Sequence, residues 1–183
     1  PDVIYADIME RVRANFHRFW IEGRGYCYDV IDGPEGDDPT LRPNQVIALA
    51  LADNLLTPEQ GQSVLQNCMG ALLTPRGLRS LAPDHPDYAP KYGGDRASRD
   101  AAYHQGTVWG WLIGPFVTAH VRVYGTTDKV HQTIAPLLEN LHEHGIGSLS
   151  EIFDAEPPHA PRGCYAQAWT VAEVLRALQL INR

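Results

Sequence analysis

The stretch Gly147-Ser148-Leu149-Ser150-Glu151-Ile152-Phe153-Asp154-Ala155-Glu156 carries acidic and aromatic side chains and runs into Pro157, Pro158 and Pro161. A carboxylate on a loop stiffened in this way suits acid–base chemistry, because polar loops on a rigid frame are where sites concentrate. Hydrolysis of a sugar linkage takes two carboxyl groups, and in the inverting form one of them deprotonates the attacking water. Glu151 has the right type and setting for that base. The plainer use of a loop glutamate is surface pairing or capping, so the weight falls on its company. Tyr103-His104-Gln105-Gly106-Thr107-Val108-Trp109-Gly110-Trp111 gathers a phenol, an imidazole, an amide and two indoles at a helix start. Rings of this kind cover the apolar face of a pyranose, while amide and imidazole groups bond its hydroxyls. Packing the indoles into the core is the competing use, and at least one is expected there.

The elements that must position these groups are mostly helical. Ile4, Ile8, Val12, Phe16, Phe19 and Trp20 recur at three-and-four spacing and predict a helix from Val3 to Trp20. Tyr26 to Asp32 alternates like a short strand before the turn residues Gly33, Pro34 and Gly36. Arg42-Pro43-Asn44-Gln45 opens an apolar helix from Val46 to Leu55; Arg42 and Asn44 can bond hydroxyls there, and Asn44 can equally cap. Thr57, Pro58 and Gln60 form a capping-box start for the next helix. Ala82 to Gln105 reads as a long loop, too rich in Tyr88, Tyr92, Tyr103 and His104 to be a disordered linker, and hence as an ordered rim. Thr127-Asp128 begins a helix that Pro136 should kink or split. The last helix, Cys164 to Ile181, has so narrow a polar stripe that burial among other helices is expected.

Composition removes several classes. A formal net charge of −7 disfavours nucleic acid, whose phosphates require a basic patch. No apolar run approaches the ~20 residues of a membrane span, and the first residues lack a signal-peptide layout. Cys27, Cys68 and Cys164 are odd in number and widely spaced, which points to a reducing, cytoplasmic setting without a disulfide framework. No Cys-x-x-Cys or paired-His spacing suggests a metal, and no cofactor is expected. The chain opens without Met and reads as a fragment.

Four blocks, Arg42-Pro43-Asn44-Gln45, Tyr92-Gly93-Gly94-Asp95, Tyr103 to Trp109, and Ser150 to Asp154 with Gln167-Ala168-Trp169, resemble the C-terminal part of glycogen debranching enzymes, in order and over nearly the whole chain. The resemblance implies an all-α fold: the C-terminal half of an (α/α)6 toroid, about six helices with long site-forming loops, residues 1–183 forming one domain. It implies inverting hydrolysis of α-1,6-linked glucose at branch stubs of glycogen or a related α-glucan. By similarity to the loop of the more distant glucoamylases, Glu151 would be the general base. Tyr103, His104, Gln105 and Trp109 would shape the glucose subsite, with Arg42, Asn44, Asp95 and Asp154 beside it. In these families the general acid lies well upstream of the base, so the chain is expected to need the upstream half of the toroid, or to self-associate. Two alternatives stay open: a non-catalytic α-glucan-binding piece, and a helical-toroid glycosidase of another linkage such as α-1,4 or trehalose.

Overall fold

The structure is a computed structural model that describes residues 3–128 and 130–182. Helix α1 (Val3–Asn15) passes into a 3-10 turn, Phe16–Phe19, and a hairpin of β1 (Val30–Gly33) and β2 (Gly36–Asp38) follows. Next come α2 (Asn44–Leu51), α3 (Pro58–Ala71), β3 (Leu73–Thr74), β4 (Gly77–Arg79) and α4 (Arg96–Ala102). The second half holds β5 (Val108–Trp109), a 3-10 turn at Gly110–Leu112, α5 (Ile113–Tyr124), α6 (Val130–Leu138), α7 (Asn140–Glu143), β6 (Ile152–Phe153), β7 (Pro161–Arg162) and α8 (Ala168–Ile181).

Local chemistry explains several boundaries. Thr57 Oγ1 accepts from the Gln60 amide at 3.2 Å and Gln60 Oε1 accepts from the Thr57 amide at 3.0 Å, so the expected capping box starts α3. Gly125 ends α5 in the left-handed conformation, φ +66. The helix containing Pro136 is split, with Glu139 between α6 and α7. The core lies where α5 packs on α2 and α8. Val46, Val64, Leu65, Phe116, Ile134, Leu137 and Val174 are buried in it.

The all-α expectation needs correcting: the chain is helix-rich but carries a five-stranded antiparallel meander, β3-β4-β5-β6-β7. Its register sets Leu78 opposite Trp109, Trp109 opposite Ile152, and Phe153 opposite Pro161. Each strand is two or three residues long, too short to bear a periodicity. Pairing edge to edge is how these loops satisfy their backbone groups while burying Leu78, Val108, Ile152 and Phe153. The 82–105 segment is also not a plain loop, since α4 lies within it, and its tyrosines are tied down as a rim. Tyr88 donates to Glu156 at 2.7 Å, and the Tyr92 amide donates to Asp154 Oδ1 at 2.9 Å.

Helix α8 departs from its expected burial. Val174, Ala177 and Ile181 pack inward, but Trp169 and Leu175 are exposed. On α1, Tyr5, Ile8 and Val12 are exposed too. Both helices have apolar faces that no described element covers. Among the described residues no helix is long and apolar enough to cross a membrane.

Candidate active site

Glu151 immediately precedes β6, and its surroundings hold it from several directions. The loop before it is anchored by the buried Asn140, whose Oδ1 accepts from the Ser150 amide at 3.0 Å. The Glu151 amide donates to the Cys164 carbonyl at 2.9 Å, and its own carbonyl accepts from the Gly110 amide at 3.3 Å. At the carboxylate, Oε2 accepts from the Cys164 amide at 2.8 Å, while Oε1 accepts a short hydrogen bond from the Tyr103 hydroxyl. Burial, and then the bond to Glu151, pushes the Tyr103 phenol above its ordinary range, so it remains a donor through neutral pH. Gly163 completes the cradle. It sits at φ +64, and a Cβ there would stand 2.5 Å from Glu151 Oε2. Only glycine leaves room for the carboxylate and tolerates that backbone.

Beside the carboxylate is a cluster of rings. Tyr103 lies 4.7 Å from Trp109 and 5.5 Å from Tyr92 between centroids, and His104 stacks on Trp109 at 5.2 Å with the planes 5° apart. Trp109 Nε1 donates to the Tyr103 carbonyl at 3.1 Å, which fixes the indole. Of these rings His104 and Trp109 line a cleft of about 370 Å³ with Arg42, Asn44, Ile47, Trp111 and Trp169, and Tyr103, itself outside the lining, links Glu151 to Trp109. A larger open groove of about 870 Å³ lies around Arg24, Tyr26, Asn67 and His85, and Glu151 is not among its lining residues.

Arg42 organises the opposite wall. Its Nη1 donates to the Ser80 carbonyl at 2.9 Å and the His104 carbonyl at 2.7 Å, its Nη2 donates to Gln105 Oε1 at 2.7 Å, and its Nε is 3.7 Å from Asp29. Asn44 does not cap α2. Pro43 takes that position, and Asn44 Nδ2 donates to Asp29 Oδ1 at 2.7 Å. Burial raises the Asp29 carboxyl, opposed by the Asn44 bond and the Arg42 charge. Asp29 thus anchors two cleft residues across 13 to 15 positions of sequence, a link that no local motif announces.

The structure brings Glu151, Tyr103, His104, Gln105, Trp109, Arg42 and Asn44 to one end of the meander. It does not bring Asp95 there: exposed, it caps α4, accepting from the Ser98 amide at 2.8 Å and the Ser98 hydroxyl at 2.6 Å. Asp154 is buried and fully engaged, taking Arg162 at 2.8 and 3.1 Å besides the Tyr92 amide, so it braces the loop and is not free for a ligand. Gly163 is a site-forming residue that sequence reasoning left out, and Trp169 entered it only within the resembling block, without a site role. For Gly163 the only signal was its place directly after the proline-braced loop. Among the described residues no cluster of His, Cys, Asp or Glu is arranged to hold a metal. Cys27 and Cys68 are buried free thiols, Cys27 pushed up to about 11 by burial, and Cys164 is free and exposed.

The family profile described as amylo-alpha-1,6-glucosidase matches residues 2–176. The glycogen debranching enzyme of Saccharomyces cerevisiae (strain ATCC 204508 / S288c) is 35% identical over 106 residues, which cover 54% of this chain and 7% of that protein. The chain therefore matches only a small part of that relative's length. These similarities put it among the glycoside hydrolases. It belongs to the amylo-alpha-1,6-glucosidase family.

Proposed function

We propose that Glu151 is the general base of an inverting hydrolysis that releases α-1,6-linked glucose from branch stubs of a glycogen-like α-glucan. The observation that carries this reading is the double hold on its carboxylate, from the Tyr103 hydroxyl and the Cys164 amide, beside the Trp109 and His104 rings. A carboxylate fixed next to aromatic faces can take a proton from water at the anomeric carbon of a stacked glucose, and preorganisation of this kind is what lowers the barrier. His104, Gln105 and Asn44 offer groups for the sugar hydroxyls, with Arg42 setting the turn that carries His104 and Gln105.

Inverting hydrolysis also requires an acid across the sugar, roughly 6.5–9.5 Å from the base. Asp29 is committed to Asn44 and Arg42, and Asp100 is exposed on α4 near Arg96. We assign the acid to helices outside this chain, which would close an (α/α)6 ring over the bare faces of α1 and α8. Three unpaired cysteines suit a reducing, cytoplasmic setting.

The test is glucose release from an α-1,6-branched oligosaccharide by the ring completed with its upstream half. Glu151→Gln keeps the shape and removes the base, and should slow release by on the order of 10²- to 10⁴-fold. Turnover within a few-fold of the parent would end the assignment. Running an α-1,4-linked substrate in parallel decides the linkage.

A further inference from the structure

Arg42 is the one permanently charged side chain among those that line the cleft of His104 and Trp109. Its visible work there is mechanical: it ties three segments together through the Ser80 carbonyl, the His104 carbonyl and Gln105 Oε1. These neutral oxygens satisfy its N–H groups but leave its charge standing. A guanidinium whose side chain is only 19% exposed is poorly screened, and a cleft lined by an unbalanced charge concentrates ions of the opposite sign.

Asp29 meets that charge from outside the lining. Its Oδ2 stands 3.7 Å from Arg42 Nε, and its Oδ1 accepts from Asn44 Nδ2 at 2.7 Å. Its amide donates to the Asp38 carbonyl at 2.8 Å, which fixes the segment that carries it. At 3.7 Å Asp29 makes no hydrogen bond to Arg42, and the three carbonyl-type acceptors already set the guanidinium's position. What Asp29 supplies to Arg42 is therefore charge. Burial raises the Asp29 carboxyl, and the Asn44 donor and the Arg42 charge oppose that rise, as they must if the ionised form is the one in use. Among the described residues it is the acid paired with Arg42. Asp38 also feels Arg42, but the Thr40 amide and hydroxyl hold its Oδ1, and it borders the outer groove near Tyr26.

We infer that Asp29 is a specificity-determining residue that acts through Arg42: it cancels the guanidinium's charge, so that the cleft accepts an uncharged sugar and gains nothing from an anionic one. This rests on the reading that a neutral glucan is the ligand of the cleft. It does not require Glu151 to be the base.

The experiment titrates D-glucose and D-glucuronate, the same ring with a carboxylate at C6, into the completed ring and follows tryptophan fluorescence, since Trp109, Trp111 and Trp169 line the cleft. The parent should bind glucuronate no more tightly than glucose. Asp29→Asn keeps an oxygen acceptor for Asn44 and removes the charge. The ratio of glucuronate to glucose affinity should then rise about tenfold, the scale of one poorly screened charge several ångströms away, and about 1 M salt should erase most of the rise. Asp29→Glu restores the charge and should return the ratio to that of the parent. The ratio is internal to each sample, so an unfolded fraction weakens the signal without moving it. An unchanged ratio in Asp29→Asn overturns the inference. So does an equal loss for both sugars or a failure to fold, either of which would mark Asp29 as a packing residue. A parent that already prefers glucuronate overturns it without any variant, because Arg42 would then be uncancelled. No turnover is measured, so the result stands apart from that of Glu151→Gln, whereas a parent that binds neither sugar removes the glucan reading and this inference with it.

Discussion

At the meander, Ile152, Phe153, Leu78 and Val108 are fully buried and the connecting loops are tied across one another by Tyr88, Asp154 and Arg162. On the helical wall, Tyr5 of α1 is 65% exposed and Leu175 of α8 is 61% exposed. The first region buries its apolar side chains among the described residues, although Ser150 Oγ, just before β6, and Asn140 Nδ2 are buried there without a hydrogen-bond partner. The second has apolar faces made for neighbours that the described residues do not supply, and bare faces of that sort mark association surfaces. The hold on the Glu151 carboxylate belongs to the first region and is set within the chain, while Trp169 of α8 brings the open wall to the cleft. That contrast orders the tests below.

The widest separation is expected in stability. Ile152→Ala empties a fully buried position on β6 and should cost about 2–5 kcal/mol, because the surrounding strands collapse only in part. Leu175→Ala trims an exposed side chain and should stay within about 0.5 kcal/mol. Denaturant midpoints of the two variants would measure the gap. Similar losses at both positions would mean that α8 is covered in solution, for instance by a second copy of the chain, and the contrast would dissolve.

The same division explains what the sequence could reveal. The Thr57–Gln60 box and the split at Pro136 were legible because each depends on residues three or four apart. Glu151, Tyr103 and Trp109 were legible as blocks resembling a known family. The meander was not, since two-residue strands such as Val108–Trp109 have no period and exist only once their partners are adjacent. Helix α4 hid for a related reason: seven residues, Arg96 to Ala102, with only Ala102 buried, carry no apolar stripe. The bond from Asn44 to Asp29 displaced the expected cap because tertiary contact offered the amide a charged acceptor. The narrow polar stripe of α8 predicts burial, but such a stripe records what a surface can bury and not whether a neighbour is present.

A smaller effect, read in activity, should come from Gly163→Ala. The substitution places a methyl group against the Glu151 carboxylate and asks a non-glycine residue to hold φ +64. Displacement of a reacting group by about an ångström costs on the order of 10²-fold, and glucose release should fall by about that much. Thermal stability should move by only about 1 kcal/mol, the strain of one left-handed residue. Loss of folding in place of activity would show that the Gly163 turn belongs to the structural frame and not to the carboxylate's cradle.

Tyr103→Phe should give the least of these activity losses and the most specific one. Sequence reasoning put Tyr103 among the groups that shape the sugar subsite, and the structure gives its hydroxyl a bond to Glu151. The two roles separate in kinetics. The Phe ring keeps its faces toward Trp109 and Tyr92, so sugar stacking and KM should hold, while one of the two donors on the carboxylate disappears. A single hydrogen bond to a charged group is worth about 1.5–3 kcal/mol, but the Cys164 amide still holds the other oxygen at 2.8 Å, which limits the displacement. We expect kcat to fall about tenfold, about 1.4 kcal/mol of barrier, at nearly constant KM. A rise in KM with kcat unchanged would return Tyr103 to substrate binding and leave the Cys164 amide as the main restraint on the base.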